Sequence, residues 1–434
     1  MSTPTITNKK RLVFLLFFCS LCLLILIVRI GWIQIVHGEK YKQLALEQQT
    51  RDIPIPAKRG TIYDRKGKEL AVSASTNTVW ARPVEVEKSG KLDETAKKLA
   101  EILEMDEEEV KEKLSSKNIG LIKIKKWIDK KQSDAIRKAK LEGIWIAEDN
   151  KRYYPFGNFA AHILGHTTDD NRGLVGIELE YDKYLSGLPG RWIKNTDAAG
   201  RQLPYGVEKY FEAENGLNVV LTIDEVIQHF VEKAIQDTLA ETKAKRVFGI
   251  VMDPETGDIL AMAVKPDYDP NQPRIPLDEN LRREYKVADT EGKQKIWNEM
   301  WRNPIISDTY EPGSTFKLIT SAAGLEEGVV EPNSPFHCSG HITVSGQRLR
   351  CWRYYNPHGA QTFTQALQNS CNPAFIEVGQ RLGTDKYYKY IDALGFSKPT
   401  GIDLPGEGKA IIQNKANVGP VELATISYGH GISV

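Results

Sequence analysis

The strongest hydrophobic pattern in the chain lies near its N-terminus. The segment LVFLLFFCSLCLLILIV (residues 12–28) is uncharged and almost wholly apolar, and IGWIQIV (residues 30–36) continues it beyond Arg29. About 20 apolar residues are enough to span a bilayer as a helix. A cleaved signal peptide is the alternative, but the stretch is long for one and no small-residue cleavage site follows it. The pattern predicts a transmembrane anchor at residues 12–36.

The charges beside this segment predict its orientation. The sequence KKR at residues 9–11 precedes it, and the far side has no equal basic cluster. By the positive-inside rule, residues 1–11 form a cytoplasmic tail and the chain after about residue 37 is extracytoplasmic.

Beyond the anchor, the periodicity indicates an α+β protein. Residues 92–150 are rich in Lys and Glu and predict mostly helices with solvated faces, and a further helix is predicted at about 225–243. The segment VFGIVMDPETGDILAMAVKP (residues 247–266) predicts a β-hairpin. The segment QTFTQALQNSCNPAFIEVGQRLG (residues 361–383) predicts two helices separated at Pro373.

The length of the chain predicts more than one domain, and its charge balance argues against nucleic-acid binding. A chain of 434 residues exceeds the usual size of one domain, and we expect one domain at residues 37–240 and another at 241–434. Lys and Arg (58) nearly balance Asp and Glu (57), so no overall field attracts nucleic acid.

The segment YEPGSTFK (residues 310–317) offers a candidate nucleophile and base. A helix is predicted to begin near Ser314, and residues three apart share a helix face, so Lys317 can reach the Ser314 hydroxyl. A serine becomes nucleophilic when a base takes its proton, and a lysine serves as that base when burial lowers its pKa. The alternative is that Ser314 only caps a helix.

A second motif, Ser370-Cys371-Asn372, begins 56 residues after Ser314. Together with GSTFK it resembles the serine penicillin-recognising enzymes. The segments RGTIYDRKGKELA (residues 59–71), GLVGIELEYDKYLSGLPG (residues 173–190) and MDPETGDILAMAVKPDYDPN (residues 252–271) are similar to one branch of that family. That branch is the class B penicillin-binding proteins of the cell-division and sporulation type.

The resemblance implies a fold and a reaction. It implies an extended mixed α/β pedestal or dimerisation-like domain, followed by a transpeptidase domain with an antiparallel sheet flanked by helices. Ser314 would be acylated by the D-Ala-D-Ala end of a peptidoglycan stem peptide, with Lys317 as base. Ser370 would relay protons, and Asn372 would orient the substrate and Lys317. An amine of a second stem peptide would complete the crosslink, and β-lactams would acylate Ser314.

The same resemblance implies which partners to expect. No metal and no organic cofactor is expected. The membrane, a polytopic glycan polymerase and division or sporulation proteins are the expected partners. A septal and a spore-cortex role both remain open.

One element of the family pattern is not found. The Lys-Thr/Ser-Gly motif belongs after the second motif, but the only match in this sequence, KSG at residues 88–90, precedes Ser314 and is interpreted as a loop. We therefore expect the transpeptidase domain to be C-terminally incomplete. Two alternatives stay open: an inactive scaffold of the division or spore-cortex machinery, and a β-lactam sensor or β-lactamase.

Three cysteines follow the anchor, in a compartment that permits disulfides. Cys371 could pair with Cys351 as a redox switch on the second motif, Cys338 could pair with Cys351, or all three could stay reduced. The nearby His337, His341 and His358 could suggest zinc, but their spacing to the cysteines fits no familiar zinc-finger pattern. No metal site is predicted.

Overall fold

The structure, a computed structural model, describes residues 6–42, 50–116, 121–195 and 208–434. The first residues of the predicted cytoplasmic tail and parts of the predicted 37–240 domain lie outside the described residues.

The described helices include α1 (Ile6–Val36), α2 (Pro83–Lys88), α3 (Leu92–Leu103), α4 (Glu107–Leu114), α5 (Lys130–Ala139), α6 (Ala161–Leu164), α7 (Gly176–Glu180), α8 (Asp182–Leu185), α9 (Glu225–Thr242), α10 (Glu279–Val287), α11 (Thr290–Trp301), α12 (Pro304–Ser307), α13 (Lys317–Glu326), α14 (Phe363–Gln368), α15 (Asn372–Ala393), α16 (Pro420–Ile426) and the 3-10 helices η1 (Gly313–Phe316) and η2 (Lys415–Asn417). The described strands include β1 (Thr50–Ile55), β2 (Ile62–Tyr63), β3 (Glu69–Ala81), β4 (Ile122–Ile128), β5 (Ile144–Tyr153), β6 (His166–Thr167), β7 (Gly173–Val175), β8 (Gly190–Asn195), β9 (Lys209–Phe211), β10 (Val219–Val220), β11 (Val247–Met252), β12 (Ile259–Lys265), β13 (Pro335–Cys338), β14 (His341–Val344), β15 (Gln347–Arg350) and β16 (Gly359–Thr362).

The N-terminal helix α1 has the length and composition of a membrane span. Its part from Val13 to Val36 is 24 residues long, and a window of 18 residues within it has a mean hydropathy of 2.9. At 1.5 Å per residue this is about 36 Å, more than the roughly 30 Å of a bilayer's hydrocarbon core. Its apolar side chains are exposed.

The chain divides into two compact units by its contacts. The first comprises residues 1–60, 73–151 and 186–217, and the second comprises residues 61–72, 152–185 and 218–434. In the first unit, α3 to α5 share a core with β3 and β4, which includes Val79, Leu99, Leu103, Ile128 and Ile136. Strands β1, β8 and β9 form a separate antiparallel sheet in this unit.

The prediction that residues 92–150 are mostly helical is wrong for two segments. Both β4 and β5 lie within or overlap this range, and β4 pairs antiparallel with β3. In IKIKKWI, Ile124 and Ile128 are buried while lysines alternate with them. Alternation with a period of two is the pattern of a strand with one buried face. The segment was predicted as a solvated helix face because its lysine content is high.

In the second unit, the predicted hairpin and helices are confirmed. β11 pairs antiparallel with β12, and α9 contacts this hairpin through the buried side chain of Gln228. Its Nε2 donates to the backbone oxygen of Met262 (2.9 Å), and its Oε1 accepts from the Met262 backbone N–H (2.8 Å). This side chain satisfies a backbone donor and acceptor of β12 at the helix contact.

A buried ion pair holds α7 in the second unit. Arg152 Nε donates to Glu178 Oε1 at 2.6 Å, and both side chains are almost fully buried. The Tyr154 hydroxyl donates to the same carboxylate oxygen at 3.2 Å. The additional hydrogen bond satisfies the carboxylate, as the burial of an ion pair requires.

We predict that Glu178→Ala destabilises the protein strongly. The substitution removes the carboxylate to which the buried guanidinium donates, and losing one partner of a buried ion pair typically costs about 3–5 kcal/mol. Thermal unfolding of the full chain in detergent, followed by circular dichroism, measures this. Glu180→Ala, an exposed position on the same helix, is the matched control and should change stability by less than about 0.5 kcal/mol. Equal effects of the two substitutions would contradict the role of the pair.

Candidate active site

Ser314 lies in η1, immediately before α13. A 3-10 helix has three residues per turn, so the side chains at positions i and i+3 are almost eclipsed, and Ser314 lies over Lys317. The preceding Gly313 has φ +57° and donates its N–H to the backbone oxygen of Gly429 (2.9 Å). A Cβ on Gly429 would lie 1.9 Å from the Gly313 oxygen. Only glycine therefore fits beside the turn that carries Ser314.

Four oxygen atoms surround the Lys317 ammonium. Its Nζ lies 3.2 Å from Ser314 Oγ, 2.8 Å from Ser370 Oγ, 2.9 Å from the Ser370 backbone oxygen and 2.7 Å from Asn372 Oδ1. The Ser370 hydroxyl in turn donates to Ser314 Oγ at 2.9 Å. The two serine hydroxyls and the lysine amine thus form a closed triangle of hydrogen bonds.

Burial lowers the pKa of Lys317. Lys317 is 1% exposed, and its Nζ lies 5.5 Å from the centroid of the Phe375 ring. Burial lowers the pKa of Lys317 to about 8, and the neighbouring Cys351 and Cys371 act in the opposite direction. A lysine with such a pKa is deprotonated in a substantial fraction near neutral or mildly alkaline pH, as a general base requires.

The second motif reaches Lys317 through an unusual backbone conformation. Ser370 has φ +50°, which is uncommon for a residue other than glycine. The Ser370 N–H donates to the Leu367 oxygen (3.0 Å), and the Cys371 N–H donates to the Ala366 oxygen (2.9 Å), which fixes this turn at the end of α14. Both the carbonyl oxygen and the hydroxyl of Ser370 consequently face Lys317.

The structure therefore brings together the four residues that the sequence predicted for the site: Ser314, Lys317, Ser370 and Asn372. A helix was predicted to begin near Ser314, and the structure resolves this region into the 3-10 turn η1 and the α-helix that starts at Lys317. Their roles in a reaction stay predictions.

The three cysteines lie close together with one histidine, and one of them, Cys371, is part of the second motif. We call this group the thiol–imidazole cluster: Cys338, Cys351, His358 and Cys371. Their ligand atoms all lie within 4.8 Å of one another. The three cysteines are free thiols, and the redox interpretation stays a prediction. Burial raises the pKa of the Cys371 thiol to about 12.

The spacing of the histidines and cysteines in the sequence did not predict this cluster, although their proximity could suggest zinc. Of the three histidines weighed there, His358 belongs to it. In contrast, His337 is exposed and His341 accepts a hydrogen bond from Arg348 (3.2 Å). The pairing of Cys338 with Gly359 between β13 and β16 carries His358 to Cys338. Strand register, which spacing alone does not reveal, brings these residues together.

The chain matches two models of protein families. Residues 54–221 match the penicillin-binding protein dimerisation domain, and residues 247–434 match the penicillin-binding protein transpeptidase domain.

Whole sequences and solved structures agree with these matches. The chain is 39% identical to stage V sporulation protein D of Bacillus subtilis, over the whole chain and 64% of that protein. It is 30% identical to the peptidoglycan D,D-transpeptidase FtsI of Buchnera aphidicola, over 96% of the chain and 70% of that protein. A peptidoglycan synthetase from Bifidobacterium adolescentis superposes with a TM-score of 0.64 at 25% identity, covering 89% of this chain and 70% of the other.

The chain thus spans about two thirds of the length of the relatives that it matches. The apolar helix α1 and the family both support association with a membrane. With its dimerisation and transpeptidase domains and its similarity to a sporulation protein and to D,D-transpeptidases, the chain belongs to the class B penicillin-binding proteins.

Proposed function

We propose that the protein is a peptidoglycan D,D-transpeptidase that works through an acyl-serine intermediate on Ser314. The observation that carries this proposal is the hydrogen-bonded triangle of Ser314, Lys317 and Ser370 around a buried amine. The transpeptidase domain match and the names of the relatives support the reaction class. The domain boundaries at 12–36, 37–240 and 241–434 are part of the same proposal.

We propose a proton path for acylation. A protonated Lys317 donates to the surrounding oxygen atoms, whereas a neutral Lys317 has one lone pair and two N–H groups. In the neutral state the N–H groups can donate to Ser370 and Asn372, which leaves the lone pair for the Ser314 hydroxyl proton. As Ser314 Oγ bonds to the carbonyl carbon of the penultimate D-Ala, Lys317 takes that proton.

We propose that Ser370 returns the proton. It contacts both Lys317 and Ser314, so its hydroxyl can pass a proton to the nitrogen of the terminal D-Ala as the peptide C–N bond breaks. The amine of a second stem peptide then attacks the acyl carbon, gives up its proton to the same network and releases Ser314. In a β-lactam, the broken C–N bond is in the ring, so the leaving nitrogen stays attached to the acyl group.

We further propose that the N-terminus is cytoplasmic and the chain after about residue 37 is extracytoplasmic, because the basic residues 9–11 precede the apolar part of α1. Stem peptides are then reachable on the outer side, and α1 is available to polytopic glycan polymerases and other division or sporulation proteins.

Labelling with penicillin tests Ser314 as the nucleophile. Fluorescent penicillin should label the full chain in detergent, and Ser314→Ala should abolish labelling because it removes the attacking oxygen. Ser339→Ala, an exposed hydroxyl of the same unit, is the matched control and should label normally. Peptide mass spectrometry should find the adduct on Ser314. Absence of any adduct on the unsubstituted chain, or persistent labelling of Ser314→Ala, would contradict the proposal.

The pH dependence of acylation follows from Lys317. Since burial lowers the pKa of Lys317 to about 8, and the neutral amine is the active form, the second-order rate constant for acylation should rise as pH increases through about 8 and level off above it. Stopped-flow measurements with a chromogenic cephalosporin would give the profile. Lys317→Arg, which stays protonated, should show at least about a hundredfold lower rate and lose this rise. A rate that falls as pH rises through this range would refute the assignment of Lys317 as base.

The orientation has its own test. Alkaline phosphatase fused after Val434 should be active in cells, because the enzyme folds only in the disulfide-permissive compartment. The same fusion lacking residues 6–36 should be inactive. Equal activity of the two fusions would exclude α1 as the segment that sets orientation.

A further inference from the structure

The thiol–imidazole cluster is assembled from four separate places in the fold. Cys338 is the last residue of β13, Cys351 follows β15, His358 precedes β16, and Cys371 precedes α15. Pairing of Cys338 with Gly359 and a hydrogen bond from the Cys351 N–H to the Gly340 oxygen (2.9 Å) bring the first three together. The three cysteines are at most 1% exposed. Three thiols and one imidazole thus meet at one point inside the second unit.

The distances in this cluster come close to those of a tetrahedral metal site. With Zn–S bonds of about 2.3 Å, the sulfur atoms of a tetrahedron lie about 3.8 Å apart, and a nitrogen ligand lies slightly closer. All four ligand atoms here lie within 4.8 Å of one another, and Cys351 Sγ lies 3.7 Å from His358 Nδ1. A small contraction would bring all four to bonding distance from a common centre.

Apart from its contact with Cys351, the His358 imidazole has no hydrogen bond among the described residues. Its Nδ1 faces Cys351, and its Nε2 is buried without a hydrogen-bond partner among the described residues. Buried polar atoms nearly always have a partner. The His358 imidazole faces thiols and has no oxygen partner among the described residues. This arrangement is typical of a metal ligand and not of a side chain in an apolar core.

We propose that the thiol–imidazole cluster binds one zinc ion. Three thiolates and one imidazole form a closed tetrahedral set of the kind found in structural zinc sites, and soft sulfur ligands discriminate against magnesium and calcium. Such a centre carries a net charge of −1, and Lys317 and Arg353 lie near enough to act electrostatically on His358. Arg353, and Lys317 while it is protonated, would offset this charge.

By binding Cys371, the zinc ion would restrain the position of the second motif. Cys371 is flanked by Ser370 and Asn372, whose side chains contact Lys317. Two hydrogen bonds already link this segment to the Cys351 region, from Trp352 Nε1 to the Asn369 oxygen (2.9 Å) and from Asn372 Nδ2 to the Arg350 oxygen (3.2 Å). Metal bonds to Cys351 and Cys371 would strengthen the same link. This positioning role, unlike the metal site itself, rests on the proposed function.

Metal analysis tests the site directly. The full chain, purified in detergent under reducing conditions, should contain close to one zinc per chain by inductively coupled plasma mass spectrometry. Cys338→Ser and Cys371→Ser should each lose it. The double substitution of Cys19 and Cys22 by serine, both in α1, is the matched control and should keep it. A protein with no stoichiometric zinc, one carrying iron or copper instead, or one with a disulfide among these three cysteines would overturn the proposal.

Cobalt substitution separates loss of a ligand from loss of the fold. Co²⁺ added to the metal-stripped chain should give the intense visible bands of tetrahedral coordination and a thiolate charge-transfer band. His358→Ala keeps the three thiols and should retain the charge-transfer band, with the visible bands shifted. Its affinity for Co²⁺ should fall more than about tenfold, the lower limit seen even for outer-shell partners of a metal. An unchanged spectrum and affinity in this variant would exclude His358 as a ligand.

The positioning role is tested by removing the metal. Chelation should slow acylation by penicillin at least about tenfold, added zinc should restore the rate, and the Cys371→Ser protein should not respond to either treatment. A bound zinc whose removal leaves acylation unchanged would refute the positioning role alone. A chain that binds zinc but is never acylated would instead contradict the proposed function and leave the metal site standing.

Discussion

The burial of the Lys317 ammonium constrains its whole surroundings, because an ion that is 1% exposed keeps only the hydrogen bonds that the protein supplies. A buried charge without partners costs far more free energy than a domain can spare. Here Ser314, Ser370 and Asn372 supply the acceptors. The partners that make this burial tolerable are also the residues that the proposed acylation of Ser314 would use, so one set of atoms would meet both the electrostatic and the chemical requirement.

This requirement accounts for the strained turn at Ser370. A left-handed conformation of a residue other than glycine typically costs on the order of 1–2 kcal/mol, yet it directs both the carbonyl oxygen and the hydroxyl of Ser370 toward Lys317. In that conformation, the side chain of Cys371 lies buried in the core beside Cys338 and Cys351. The segment Ser370–Asn372 thus contributes both to the oxygen atoms around Lys317 and to the thiol–imidazole cluster. A change in the conformation of one group would therefore displace the other.

The sequence revealed the part of this site that depends on local spacing. Ser314 and Lys317 are three residues apart on one helical turn, and the two helices around Pro373 follow from their own pattern. The pairing of Ser314 with Ser370 depends on tertiary packing across 56 residues, and only the resemblance to a family predicted it. The thiol–imidazole cluster was missed because its four residues lie at the ends of four separate elements: Cys338 ends β13, Cys351 follows β15, His358 precedes β16 and Cys371 precedes α15. Its sequence spacing therefore reflects strand register and not a local metal-binding motif. The strand β4 was missed because its lysines masked the alternation of its isoleucines.

The pKa of Lys317 stays low only while water is excluded from its Nζ. Buried hydrogen bonds between the surrounding helices maintain this exclusion. Thr320, one turn after Lys317 on α13, contacts the Tyr387 hydroxyl of α15 (2.6 Å) and donates to the Ser427 oxygen at the end of α16 (2.8 Å). All three residues are buried. If these helices separated, water would reach Nζ, the desolvation that lowers the pKa of Lys317 would weaken, and Lys317 would hold its proton to a pH well above about 8. The basicity of the site is therefore a property of the packed helices as much as of the lysine itself.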